Sequence, residues 1–277
     1  MSEVTTNLQR AARAAEQAAY AAGTHLQASR SRLAEVVVTH RSPGEVVHAI
    51  DAEARALIRG VVGKLFPDHR FVGDEAGHDR AARIGEPVSQ WHEESGPLWV
   101  VDPIDGLANY LRGYPQYAVS IALIECGQPQ VGVVYDPCRN EFFGAIRGRG
   151  AVLNGQPIRT AKPRAAGESL AATVFPRPAS HRMPDYMAEL GRMLRGFGGV
   201  RRSGATSLEL AYLAAGRIDA FWAHDMRPWD TAAGAALLHE SGALLHARDG
   251  VPVLASDSVM ACTPHLFEPF LSLLAEP

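Results

Sequence analysis

Three cysteines in 277 residues, Cys126, Cys138 and Cys262, are an odd number without a CxxC pair. That excludes a disulfide framework and a thiolate zinc site, and fits a reducing cytoplasm. No basic start leads into an unbroken apolar stretch, and nowhere do about 18 apolar residues run together, so neither a signal peptide nor a membrane span is expected. An excess of one charge is also missing. Twenty-seven basic residues against 30 acidic ones leave a formal charge of -3, which gives no electrostatic footprint for a nucleic acid polymer or a membrane surface. What is present, 47% hydrophobic and 21% charged residues, is the composition of a soluble globular protein and excludes disorder. The length lies where a single core stops growing, at about 250 to 300 residues, so one large domain or two lobes sharing an interface is expected.

Residues 5 to 30 read as an alanine-rich packing helix, with Leu8, Ala12, Ala15, Ala22 and Leu26 on one face. Two β-branched runs follow, Glu35 to His40 and Glu45 to Ile50, and Asp51 then reads as the N-cap of a helix. Residues Ala76 to Pro97 are polar and aperiodic and predict a surface loop, delivering the chain into a strand from Leu98 that ends at Asp102-Pro103. From Tyr117 to Ile158, short apolar runs between turn signals predict an antiparallel meander. Helices and strands then mix: helices around Pro184 to Gly196 and Ser207 to Ala215, a strand Ile218 to Trp222, a helix opening near Asp230, strands Ala243 to His246 and Ser258 to Cys262, and a final helix from Pro264. This order predicts layered α and β structure with at least two sheets, not a uniformly alternating doubly wound fold.

The richest stretch is Trp99-Val-Val-Asp102-Pro-Ile-Asp105-Gly-Leu-Ala-Asn109-Tyr110, where a buried strand runs into two aspartates three apart. Upstream, Gly73-Asp74-Glu75 places paired acids after an apolar run; downstream, Trp229-Asp230 places an acid at a helix start. Singly, each is ordinary turn or capping chemistry. If these carboxylates converge, they repel and take up protons unless a cation sits among them, and an all-oxygen donor set favours a hard ion such as Mg²⁺.

In order, the three motifs resemble those of the inositol monophosphatase family: a Gly-acid-acid pair, an Asp-Pro-Ile-Asp-Gly turn, and a Trp-Asp helix running to Glu240-Ser241-Gly242. The resemblance covers nearly the whole chain. It implies a five-layer αβαβα sandwich, shared with the fructose-1,6-bisphosphatases, as a single domain over 1–277 with an N-terminal α+β lobe over about 1–160 and a C-terminal α/β lobe over about 161–277. It also implies a cytoplasmic, homodimeric, Mg²⁺-dependent phosphatase holding two or three ions and acting on a small phosphate monoester. Asp74, Asp102 and the carbonyl of Ile104 would hold one ion, and Asp102, Asp105 and Asp230 a second; Glu75 and Asp51 would serve the attacking water, and the amides of Gly106 and Leu107 the phosphate.

The sequence departs from the family at informative places. Leu107 replaces the family's threonine and removes a hydroxyl that holds the water with Asp51, a loss that general-base catalysis rates at roughly a hundredfold to ten-thousandfold. The first acid, Asp74, is shorter by one methylene than the usual glutamate. His40 and His48 stand where the family has lysine and threonine, and Arg41 is a candidate replacement for the lysine charge. His48 reads either as a compensating base or as a solvent-facing strand position. In inositol-specific members an acid follows the Asp-Ala-aromatic-aromatic stretch; here Ala223 follows Trp222, and Gly204, Ala205, His224 and Asp225 become the substrate candidates. Another cyclitol, a sugar, an amino alcohol or a nucleoside monophosphate is then expected in place of plain inositol 1-phosphate. The alternative is a weakened family member that binds a phosphate ligand or regulates.

Overall fold

The computed structural model describes residues 3–33, 43–73, 96–162 and 164–275. Asp74, Glu75, His40, Arg41, the run 35–40 and most of the expected loop 76–97 lie outside these residues. Helix α1 (Glu3–Ala28) pairs with α2 (Pro43–Leu65) to form the first layer. Strands β1 (Arg70–Gly73), β2 (Leu98–Asp105), β3 (Ala118–Glu125), β4 (Gln128–Asp136), β5 (Glu141–Ile146), β6 (Ala151–Leu153) and β7 (Gln156–Ile158) form a seven-stranded sheet in sequence order. Its β2 to β7 portion is the antiparallel run, and β1 pairs parallel to β2. A short helix, α3 (Leu107–Arg112), sits between β2 and β3.

The second half supplies β8 (Leu170–Thr173), α4 (Met183–Gly196), β9 (Gly199–Arg201), α5 (Thr206–Ala214), β10 (Ala220–Ala223), α6 (Pro228–Ser241), β11 (Leu244–Ala247), β12 (Val259–Cys262) and α7 (Phe267–Ala275). Its five strands form a second sheet in the order β11-β12-β10-β8-β9. The sequence reading missed β8 and β9, which are four and three residues long.

Strand periodicity stacks these parts. On β3, Val119, Ile121 and Leu123 face a core shared with α1 and α2, whereas Ala118, Ala122 and Ile124 face a core shared with α5 and α6. On β10, Phe221 and Ala223 face that same middle core, while Ala220 and Trp222 face α4 and α7. The layers are therefore α1/α2, sheet, α5/α6, sheet, α4/α7, the αβαβα sandwich expected from the motifs. Small residues bring the middle layer close: a Cβ on Gly132 of β4 would come within 2.5 Å of the Ala233 carbonyl oxygen of α6.

One element differs in kind from the reading. The run Glu45 to Ile50 is helix, not strand, and Asp51 lies inside α2 instead of capping it. Val47, Ile50, Ala54, Ile58 and Val62 all face the core, so the 3.6-residue period starts before Asp51 and overrides local β-branched propensity.

Candidate active site

The site begins with a fault in a strand. Strand β2 does not stop at Asp102-Pro103 but continues to Asp105, with a register shift against β3: Asp102 pairs with Ser120, and Asp105 pairs with Ala118. Three steps along β2 match two along β3, so β2 carries one extra residue, a β-bulge. In a regular strand, residues three apart point to opposite faces. The bulge restores parity, since Ser120 and Ala118 share a face, and both aspartates are thereby aimed toward the middle helical layer. They are 5% and 6% exposed. Asp102 Oδ1 accepts the Ile104 amide at 3.0 Å, which fixes the turn locally.

Gly106 follows with φ 88°, a left-handed conformation natural to glycine, and a Cβ there would sit 2.8 Å from the Gln116 carbonyl oxygen and 3.2 Å from Ala205 Cβ. The candidate phosphate turn and the candidate substrate loop are therefore neighbours. Gly204 lies against the Asn109 side chain. The Asn109 amide donates to the Ser203 carbonyl at 2.8 Å and to the Gln116 carbonyl at 2.7 Å, tying turn to loop.

Asp105 is held from the same side. Thr206 N–H donates to Oδ1 at 3.1 Å; Ser207 N–H and Oγ donate to Oδ2 at 2.7 and 2.5 Å. Behind this turn, Glu209 is buried and accepts the Ser203 amide and hydroxyl at 2.9 and 2.5 Å. Burial raises its pKa above the usual carboxylate range; the Ser203 bonds oppose that rise, and the charge of Asp105 adds to it. Asp230 stands in the first turn of α6 and accepts the Arg227 amide at 2.8 Å, so it occupies the third helical position and not the N-cap. Asp51 is buried on α2, which packs against β2, and accepts Arg55 Nη2 at 2.5 Å.

His48 is exposed on α2, one helical turn before the buried Asp51, so the position is helical and not on a strand. One substrate candidate fails on geometry. His224 lies on the side of β10 opposite Ala223. It is buried with Nδ1 2.8 Å from Ser258 Oγ and Nε2 2.9 Å from Glu189 Oε2, leaving neither ring nitrogen for a substrate. Asp225, at φ 58°, accepts the Arg177 amide at 3.0 Å and shapes the 175–182 loop. Sequence spacing missed Ser207 and Glu209, because the partner of the first lies on the turn about a hundred residues away and that of the second across a helical turn with no motif of its own.

A match to the inositol monophosphatase family covers residues 7–276. The chain belongs to the inositol monophosphatase family. Among its relatives, a protein of Pseudomonas aeruginosa called Nus factor SuhB is 37% identical over 230 residues, 82% of each chain. The solved inositol monophosphatase of Anabaena is 31% identical and superposes with a TM-score of 0.79 over 97% of this chain and 96% of its own. SuhB of Mycobacterium tuberculosis gives 0.75 at 28% identity, covering 96% of each chain. Membership of the inositol monophosphatase family agrees with the bulged aspartate pair and the layered fold. Among the described residues no helix is long and apolar enough to cross a membrane.

Proposed function

We propose that the chain is a Mg²⁺-dependent phosphomonoesterase acting on a small phosphorylated alcohol. The observation that carries this reading is the β-bulge that turns Asp102 and Asp105 onto one face, toward the helix that bears Asp230. Among the described residues no three His, Cys, Asp or Glu side chains form a metal cluster by themselves. The donors present are all hard oxygens, and two carboxylates are buried, which fits Mg²⁺ better than a softer ion.

On this reading Asp74, Asp102, Asp105, Asp230 and the Ile104 carbonyl hold the metal, which when bound supplies Lewis-acid stabilisation of phosphoryl charge and a more acidic water. The chain's own residues do the rest. The turn at Gly106 and Leu107 presents backbone N–H groups to phosphate oxygens, and Gly204 and Ala205 wall the alcohol side. Asp51 and Glu75 hold and deprotonate the attacking water. Leu107 packs its side chain toward the core shared with α1 and α2 and brings no hydroxyl to that step.

The second reading, a phosphate-ligand-binding or regulatory member, is favoured by that same Leu107 and by the name Nus factor SuhB carried by relatives. Phosphate release from a panel of cyclitol, sugar, amino alcohol and nucleoside monophosphates, with and without Mg²⁺, separates the two. The enzyme reading predicts Mg²⁺-dependent release by wild type and its loss in Asp105→Asn. No release from any substrate, with a gain in Leu107→Thr, selects the second reading; release independent of metal sinks the mechanism.

A further inference from the structure

Asp105 is gripped by three donors of one helix turn, and only one of them is a side chain. Backbone amides of Thr206 and Ser207 would be there whatever residues stood at those positions; the Ser207 hydroxyl, 2.5 Å from Oδ2, is specific to this chain's choice of serine. Ser207 is fully buried, so its hydroxyl has no solvent partner to exchange for the carboxylate. Its position is set in advance, because Glu209 accepts from Ser203 and Asn109 donates to Ser203, which fixes the loop leading into α5. The contact spans 102 residues and joins the bulged strand of the first sheet to a helix that packs on the second.

We propose that Ser207 is a positioning residue for the metal centre, its hydroxyl fixing the plane and rotamer of the Asp105 carboxylate. The inference rests on Asp105 being a metal ligand, as proposed above. A carboxylate held from behind on both oxygens presents its remaining lone-pair site, on Oδ1, in one orientation, so a cation binds without first freezing χ1 and χ2. Partners of ligating carboxylates are worth about ten- to a hundredfold in metal affinity. Because two amide donors persist without the hydroxyl, the lower end applies here.

The test uses the full chain and Mn²⁺ as a paramagnetic probe of hard-dication binding, read by electron paramagnetic resonance, beside thermal melting in excess chelator. Ser207→Ala is expected to bind Mn²⁺ about tenfold more weakly than wild type, and Ser207→Ala with Asp105→Asn no more weakly than Asp105→Asn alone. Wild-type Mn²⁺ affinity in Ser207→Ala, with only a lowered melting temperature in chelator, overturns the positioning role and leaves a helix cap. If Asp105→Asn weakens binding while Ser207→Ala does not, this inference alone fails. If Asp105→Asn binds as wild type does, or wild type binds no Mn²⁺, the ligand reading of Asp105 fails and carries this one with it.

Discussion

At the scale of single residues, the turn after β2 concentrates what the chain needs in very few atoms. Gly106 has φ 88° and no room for a Cβ, because the obstructing Gln116 oxygen and Tyr117 Cα are backbone that cannot step aside. Gly106→Ala is therefore expected to cost about 2–4 kcal/mol, the sum of left-handed strain and a main-chain clash, measured by urea unfolding. An unchanged midpoint would show that the turn is not as tight as described. Leu107, its neighbour, trades in the other direction. The side chain is half-buried against the core shared with α1 and α2, so Leu107→Thr is expected to lose about 1–2 kcal/mol of stability. On the enzyme reading the same variant gains turnover by roughly tenfold or more, since it restores a hydroxyl where water must be held. A kcat no higher than wild type would mean that this chain solves the water-holding step without a residue 107 hydroxyl.

At the scale of elements, helix α1 was legible because many positions repeat one spacing, and the meander β3 to β7 because turn signals separate its apolar runs. Strands β8 and β9, four and three residues long, were not read. The α2 error had another source, a β-branched opening whose true period emerges only when Val47 is aligned with Ile58. His224 was misplaced for a strand reason: parity along β10 sends it to the side opposite Ala223, into a relay that links α4, β10 and β12. In that relay burial alone would raise the Glu189 pKa, but bonds from His224 and Arg248 outweigh it and hold the carboxyl below its ordinary 4.5. An ionised Glu189 accepts from His224 Nε2–H, and the other ring nitrogen, Nδ1, lies 2.8 Å from Ser258 Oγ. A depressed carboxylate contributes stability that is present above its unfolded pKa and lost as pH falls through the folded one. Glu189→Gln is thus expected to melt well below wild type at neutral pH, by the equivalent of about 2–4 kcal/mol, with the gap closing as pH drops below about 4.5. A gap independent of pH would assign the loss to packing and not to the ion pairs.

At the scale of the whole molecule, the carboxylates of the proposed site come from separate layers: Asp51 from the outer helical pair, Asp102 and Asp105 from the first sheet, Asp230 from the middle helices. Motif order disclosed the members of this set, but the bulge, the Asp105 clamp and the depth of the layers were not in it, since they depend on pairings between segments far apart in sequence. Assembly of the site therefore depends on how closely α6 lies on the sheet, and Gly132 sets that distance. A methyl there would meet the Ala233 carbonyl oxygen at 2.5 Å and Ala236 Cβ at 2.7 Å, one backbone and one too short to yield, so the helix and the strand must move apart. Gly132→Ala is expected to destabilise the fold by about 2–3 kcal/mol through overpacking. Because α6 also carries Asp230 in its first turn, the same shift draws one carboxylate away from two others. The half-saturating Mg²⁺ concentration for phosphate release should then rise several-fold in the fraction that remains folded, although Gly132 touches none of the proposed ligands. Loss of stability with unchanged Mg²⁺ dependence would show that the first turn of α6 is anchored independently of its middle, and that the layers do not transmit packing to the site.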